Sequence, residues 1–197
     1  MLSFIKSNSE ISNTPSYLED LPDELSVSKE LLINKKYFSR MVTSNDNRAF
    51  DLYLMLVAYS QLMGEDEFYI NLEDMGLSLG LPDTLDYTAL RRQIIRSLKR
   101  LQNRYKLIKV KFMHGKDAFI TPLNVQGESF VISSVSIIQS SDAKLTLRLK
   151  LLLLIKALLE NEGKDLDSVS KADLSKRFNI NETTIYDAFN DLEDMDK

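Results

Sequence analysis

Ten Lys and Arg side chains fall between Tyr87 and Lys116, and no Asp or Glu interrupts them. The rest of the chain holds all 29 acids and the other 15 of the 25 bases, so a protein of formal net charge −4 divides into a +10 segment and a −14 remainder. A cationic stripe on an acidic body is the footprint of a polyanion partner. The residue types suit nucleic acid. The Arg side chains offer planar forks for phosphate or for the two acceptors of guanine, and the amides of Gln93 and Asn103 have the groups that pair with adenine. Arg92, Arg96, Lys99, Arg100 and Asn103 share one side of a helical wheel, with Arg91 and Arg104 at its margins. Lys109, Lys111, His114 and Lys116 continue the stripe. Most of these groups are expected to meet phosphate, which gives affinity without sequence information. An isolated charged helix is ordinarily a solvated surface, but thirty residues without an acid argue for a partner.

The elements that must position these groups follow from periodicity. Leu90, Ile94, Leu98, Leu101 and Tyr105 recur at helical spacing opposite the cations, which predicts a helix from about Tyr87 to Tyr105 capped by Asp86. The period then drops to two. Leu107, Ile108, Val110 and Phe112 alternate with Lys109 and Lys111, His114-Gly115-Lys116 turns, and Ala118 to Leu123 returns as a second strand in which Pro122 suggests an edge. Upstream, a mostly apolar core helix is expected over Arg48–Met63, with Asn45-Asp46-Asn47 as turn and cap and Gly64 as its end. Phe68–Ile70 reads as a brief strand. Asn71 then caps a helix over Leu72–Leu79 that Gly80 closes, and Pro82-Asp83 opens a loop. Residues 1 to about 20 are Ser/Asn-rich, which predicts a mobile arm, and a short helix is expected from Ser28 to Phe38 with Leu31, Leu32 and Tyr37 on its apolar side.

In the second half, Phe130–Ile138 is strand-like, Ser140-Ser141-Asp142 marks a boundary, and an apolar helix runs from Leu145 to Glu160 before Gly163. Caps among Asp167 to Ser170 precede a short helix over Lys171–Phe178, and Asn181 caps a last helix over Glu182–Met195. Four units result: an N-terminal arm and short helix (1–44), a first domain (45–126), a strand-bearing connector (127–143) and a second domain (144–197).

The order helix, short strand, helix, turn, helix, two-stranded hairpin resembles the winged helix, so the fold class expected is mainly α with small β. The resemblance implies that Leu72–Leu79 braces a recognition helix lying in the major groove, and that the hairpin is the wing. The segment ADLSKRFNINETTIYDAFNDL resembles the helix-turn-helix signature of bacterial regulators. Ala172, Leu174, Phe178, Ile180, Ile185 and Phe189 stand at its buried positions, and Asn179 takes the usual glycine position. The last helix carries Glu182, Asp187, Asp191, Glu193 and Asp194, and phosphate would repel it. A second wing is expected to be absent or truncated. Two readings stay open. The acidic helix makes a protein contact such as a homodimer interface, or only its start, with Asn181, Glu182, Thr183, Thr184 and Tyr186, approaches bases while Lys171, Lys176 and Arg177 hold the backbone. Two such units in tandem resemble the replication initiator proteins of iteron-type plasmids. That resemblance implies binding to repeated double-stranded DNA sequences at an origin, control of copy number and a dimer–monomer switch. A transcriptional regulator, or a tandem adaptor that binds protein, fits the same residues.

Other chemistry finds little footing. The absence of cysteine excludes disulfides, thiolate metal sites and a Cys nucleophile. His114, the sole histidine, sits beside a glycine in a turn, and no phosphate loop, HExxH or Ser/His/Asp set is present. Neither an enzyme nor a cofactor or metal is expected. The N-terminus lacks the apolar core of a secretory signal, and Leu151–Ile155 is too short to span a bilayer, so a cytoplasmic protein without a membrane partner is expected.

Overall fold

The computed structural model describes residues 22–81, 86–113, 117–123, 125–133 and 145–195. The expected arm over 1–20, the loop at Pro82-Asp83, the turn His114-Gly115-Lys116, the end of the strand expected to reach Ile138 and the boundary at Ser140–Asp142 lie outside the described residues.

The stretch before the first long helix is not one helix. Glu24–Ser28 is a strand (β1), Glu30–Ile33 a single helical turn (α1), and Phe38–Thr43 a second short helix (α2). Leu25 and Val27 alternate inward along β1, a two-residue period too short to stand out in the sequence. Asp46 then accepts from the Ala49 amide and starts Asn47–Met63 (α3), and Gly64 ends it in the left-handed region at φ 65°. Phe68–Asn71 is β2. Asn71 accepts from the amides of Glu73 and Asp74 and opens Leu72–Ser78 (α4). Asp86 accepts from the Ala89 amide at 2.7 Å and starts Tyr87–Arg100 (α5).

The expected single helix to Tyr105 changes pitch at its end. Leu101–Tyr105 is a π-helical turn closed by the Lys106 amide on the Leu101 carbonyl, with Lys106 left-handed at φ 58°. The wider turn keeps both Leu101 and Tyr105 buried. Ile108–Phe112 (β3) and Asp117–Pro122 (β4) follow as an antiparallel hairpin. Strand β2 pairs with β4 on its other side, so the sheet order is β2-β4-β3. Strand β4 is therefore central, and the edge expected from Pro122 is not there. Pro122 is tolerated because it is the last residue of β4, beyond the reach of β2, which ends its pairing at Ile120.

Ser129–Ser133 (β5) pairs antiparallel with β1, Leu25 opposite Ile132 and Val27 opposite Phe130. The segment expected as a connector thus closes a second small sheet with the N-terminal strand. Thr146 caps Leu147–Asn161 (α6), Ser170 caps Lys171–Phe178 (α7), and Glu182–Met195 is α8. The architecture is mainly helical with two small antiparallel sheets among the described residues.

The core runs without a break through both halves. The Phe38 ring packs tilted against Phe50 of α3 with centroids 4.6 Å apart and lies 6.0 Å from Tyr53, while Leu151, Leu154, Ile155 and Leu158 of α6 belong to the same buried cluster. Leu90, Ile94, Leu98, Leu101 and Tyr105 are all buried as expected. Gly76 lets α4 approach closely, since a Cβ there would lie 3.5–3.6 Å from Ile94, Leu81 and Leu90. In α7 and α8, Leu174, Phe178, Ile180 and Ile185 are buried. Ala172 is exposed, contrary to expectation, and Ala188 is buried beside a half-buried Phe189. Among the described residues no helix is long and apolar enough to cross a membrane.

Asn179 is left-handed at φ 54°, as its position implied, and it also joins the halves. Its amide donates to the Ile33 carbonyl at 2.9 Å, and its own carbonyl accepts from the Ser39 hydroxyl. Asn179→Gly is expected to remove the side-chain hydrogen bond, about 1 kcal/mol. Asn179→Ala adds left-handed strain and should be the less stable variant by about a further 1 kcal/mol. Urea denaturation ranks the two, and equal stability of both variants would contradict the strain argument.

Candidate nucleic-acid interface

Helix α5 is amphipathic because its apolar residues recur at three- and four-residue steps and pack on α3 and α4. That packing turns Arg92, Arg96 and Lys99 outward, and all three are exposed. Asn103 and Arg104 continue the exposed stripe on the π-helical turn, whereas Arg91 and Gln93 are half-buried at its flanks. None of Arg91, Arg92, Arg96, Lys99 and Arg104 lies within ion-pair distance of a carboxylate among the described residues.

Arg100 departs from this pattern. Its Nε lies 2.9 Å from Asp46 Oδ2, a charge contact without the alignment of a hydrogen bond, and its Nη2 donates to Ser97 Oγ at 3.1 Å. Asp46 is buried, caps α3 and accepts from the Tyr105 hydroxyl at 2.9 Å. Arg100 is therefore tied inward, and its expected place among the free cations of the face is corrected: its neighbour carboxylate already neutralises it. The sequence showed Asp46 as a cap, but 54 positions of chain separate it from Arg100 and no local signal links them.

The hairpin divides its residues between two faces. Ile108 and Val110 point to the core side with Ala118 and Ile120, Phe112 shares that side but is exposed, and Lys109 and Lys111 point to the other, opposite Thr121 and Phe119. Both lysines are exposed, beside a Tyr69–Phe119 edge-on ring pair at 5.5 Å. On the α5 side, Lys99 Nζ sits 6.0 Å from the Phe112 ring centre. Gln102 fastens the π-helical turn to the hairpin by accepting from the Val110 amide at 2.6 Å. The α5 cations thus form one face, and Lys109 and Lys111 flank it from the far side of the sheet. His114 and Lys116 lie outside the described residues. Two bases that the sequence reading passed over adjoin the face. Exposed Arg40 donates to the Arg104 carbonyl at 3.3 Å, and Arg48 lies in the first turn of α3, close enough for its charge to act on Arg100.

The second candidate set is less free. Lys171 Nζ lies 4.7 Å from the Tyr186 ring and 4.6 Å from Phe189. Arg177 donates to Glu162 at 2.5 Å and holds that carboxyl below the usual range. Lys176 and Thr183 are exposed, and Thr184 is half-buried. Two of the acids of α8 are used within the chain. Arg148 of α6 donates to Asp187 at 2.9 Å and, through two nitrogens, to Asp191 at 2.7 and 2.8 Å. Part of the acidity of α8 is therefore internal glue between α6 and α8.

What the first face offers is a rigid helix whose guanidinium and ammonium groups are pre-aligned and uncompensated, an arrangement that holds a row of anions. Arg100→Ala is expected to cost about 1–2 kcal/mol, since it strands the buried Asp46 carboxylate. Arg96→Ala, exposed and unpaired, should change stability by less than about 0.5 kcal/mol. Chemical denaturation distinguishes them, and equal effects would refute the Asp46 tie. The guanidinium of Arg148 lowers the pKa of Asp191. The stability this contributes is therefore fully present above the unfolded carboxylate value near about 4 and is lost as pH falls through the lower folded value. Asp191→Asn should flatten that acid limb in melting curves taken from about pH 6 to about pH 3.

No protein-family model matches the chain, and no curated protein or solved structure matches it either.

Proposed function

We propose that this protein binds double-stranded DNA with sequence specificity, using α4 and α5 as the helix-turn-helix of a winged-helix unit and the β3–β4 hairpin as its wing. The observation that carries the reading is the exposed face of Arg92, Arg96, Lys99 and Arg104, which has no carboxylate partner among the described residues. Elsewhere in the chain Arg148, Lys150 and Arg177 do have carboxylate partners. A helix in the second position of such a pair enters the major groove with its early residues at base edges. Arg92 and Arg96 then read bases, and Lys99 and Arg104 hold phosphates, with Lys109 and Lys111 on the flanking backbone. The α3–β2–α4–α5–β3–β4 order and the β2-β4-β3 sheet support the winged-helix reading. The helix pair α7–α8 with its left-handed Asn179 supports a tandem arrangement, and with it an origin-binding role of the kind plasmid replication initiators have.

With roughly four to six phosphates neutralised, log K is expected to fall with log salt at a slope of about −4 to −5. Arg92→Ala with Arg96→Ala should weaken duplex binding at all salt concentrations while leaving the melting temperature near that of the unaltered chain. Fluorescence anisotropy against a duplex selected from a random pool provides both readings. A slope near zero, or a double variant that binds normally, would sink the proposal.

A further inference from the structure

The β2-β4-β3 sheet has two unlike faces. Phe68, Ile70, Ile108, Ala118 and Ile120 turn inward and are buried. The opposite face carries Tyr69 on β2, Phe119 on β4, and Lys109 and Lys111 on β3. Tyr69 is the Cα partner of Phe119, and Phe119 is that of Lys111, so these three form one row across the strands. Neighbouring strands lie about 4.8 Å apart, which puts Lys111 roughly 10 Å from Tyr69 at the backbone. Lys109 stands in the next row, opposite Thr121.

Aromatic rings carry much of the apolar area a sheet can bury. Here Tyr69 is 47% exposed and Phe119 only half-buried. Their rings meet edge-on at 5.5 Å and 68°, a geometry that uses up one ring face at most. Lys109 and Lys111 are exposed, and neither lies within ion-pair distance of a carboxylate among the described residues. The acids of this face are Glu67, which accepts from Thr121 Oγ1 at 3.5 Å, and Asp117, which accepts from Asn71 Nδ2 at 3.4 Å. They flank the aromatic row on the β2–β4 side, and the cations keep to β3.

A fitting partner brings flat rings to the Tyr69–Phe119 pair and anions to the β3 edge. Single-stranded nucleic acid has both, since each base is joined to its phosphate through one sugar, and stacking on aromatic side chains beside a cationic track is how such strands are held. A duplex cannot use the rings, because its bases are already paired and stacked inside it.

We propose that this open sheet face binds single-stranded DNA, with a base stacked on the Tyr69–Phe119 pair and phosphates held by Lys111 and Lys109. The choice of DNA over RNA rests on the duplex reading above: the same lysines flank the α5 face, so a strand parted from a bound duplex leaves along β3. The stacking itself does not depend on that reading.

The test uses the full chain and a dye-labelled oligothymidylate of roughly ten nucleotides, followed by anisotropy. Tyr69→Ala is expected to weaken its binding by roughly five- to hundredfold, the range for losing one base–aromatic stack, and to leave duplex binding unchanged. Arg92→Ala with Arg96→Ala should lose the duplex and keep the oligothymidylate. An abasic strand of equal length, with the same phosphates and no bases, should bind the unaltered chain as weakly as the oligothymidylate binds Tyr69→Ala. The chain has no tryptophan, so Tyr69→Trp supplies a single reporter whose fluorescence a stacked base quenches. An oligothymidylate that does not bind, equal binding by Tyr69→Ala or by the abasic strand, or an unquenched Tyr69→Trp overturns the proposal. Tighter binding of oligouridylate overturns the assignment to DNA. Should Tyr69→Ala fail to fold, the abasic strand and Tyr69→Trp decide. A chain that binds the oligothymidylate but no duplex overturns the duplex reading alone.

Discussion

The cationic face exists because the opposite side of α5 is buried. Leu90, Ile94, Leu98 and Leu101 are almost wholly removed from water against α3 and α4, and each such burial stabilises by roughly 1.5–3 kcal/mol. Like charges four apart, as Arg92 with Arg96, cost only about 0.2–0.5 kcal/mol per pair. The apolar term wins by a wide margin, so the helix can hold unneutralised cations in one orientation without losing the fold. Tyr105 finishes the stripe, and its hydroxyl meets Asp46, which also starts α3 and faces Arg100. The two ends of the α3–α5 contact are thereby fixed: one by packing, the other by a buried carboxylate serving three partners.

Charge pairing in the rest of the chain sharpens the contrast. Lys150 with Asp51 joins α6 to α3 across the two halves, Lys29 reaches Glu128 next to β5, and Arg148 clamps α8. Such pairs contribute modestly when exposed, but they set where elements dock. The acids that give the chain its negative balance are in part spent on this docking. Arg92, Arg96 and Lys99 of α5 have no equivalent among the described residues, whereas Arg100 at its end is paired with Asp46.

The halves are not separate packing units. β5 leaves the first half to pair with β1, and α6 packs under β5 and α2 within one continuous apolar cluster. Asn179, at the turn between α7 and α8, bonds back to α1 and α2. A movement of α7 and α8 relative to α5 would have to break these contacts, so the two helix pairs are held at a set separation along the molecule.

Local rules determined a large share of this in the sequence itself. Side chains that cap their own helices, such as Asp46, Asn71, Asp86 and Ser170, act within three residues, and left-handed Gly64 and Asn179 end helices for reasons of backbone sterics alone. Helical spacing was enough to separate the cations of α5 from its buried stripe. What depended on distant chain segments was illegible. Strand β1 needed β5, 101 or more positions away, to declare itself, and β4 became central only when β2 came to its far side. Arg100 and Arg96 look alike in sequence, yet one meets a buried carboxylate and the other meets solvent, because only the docking of α3 against α5 places Asp46 within 2.9 Å of a guanidinium.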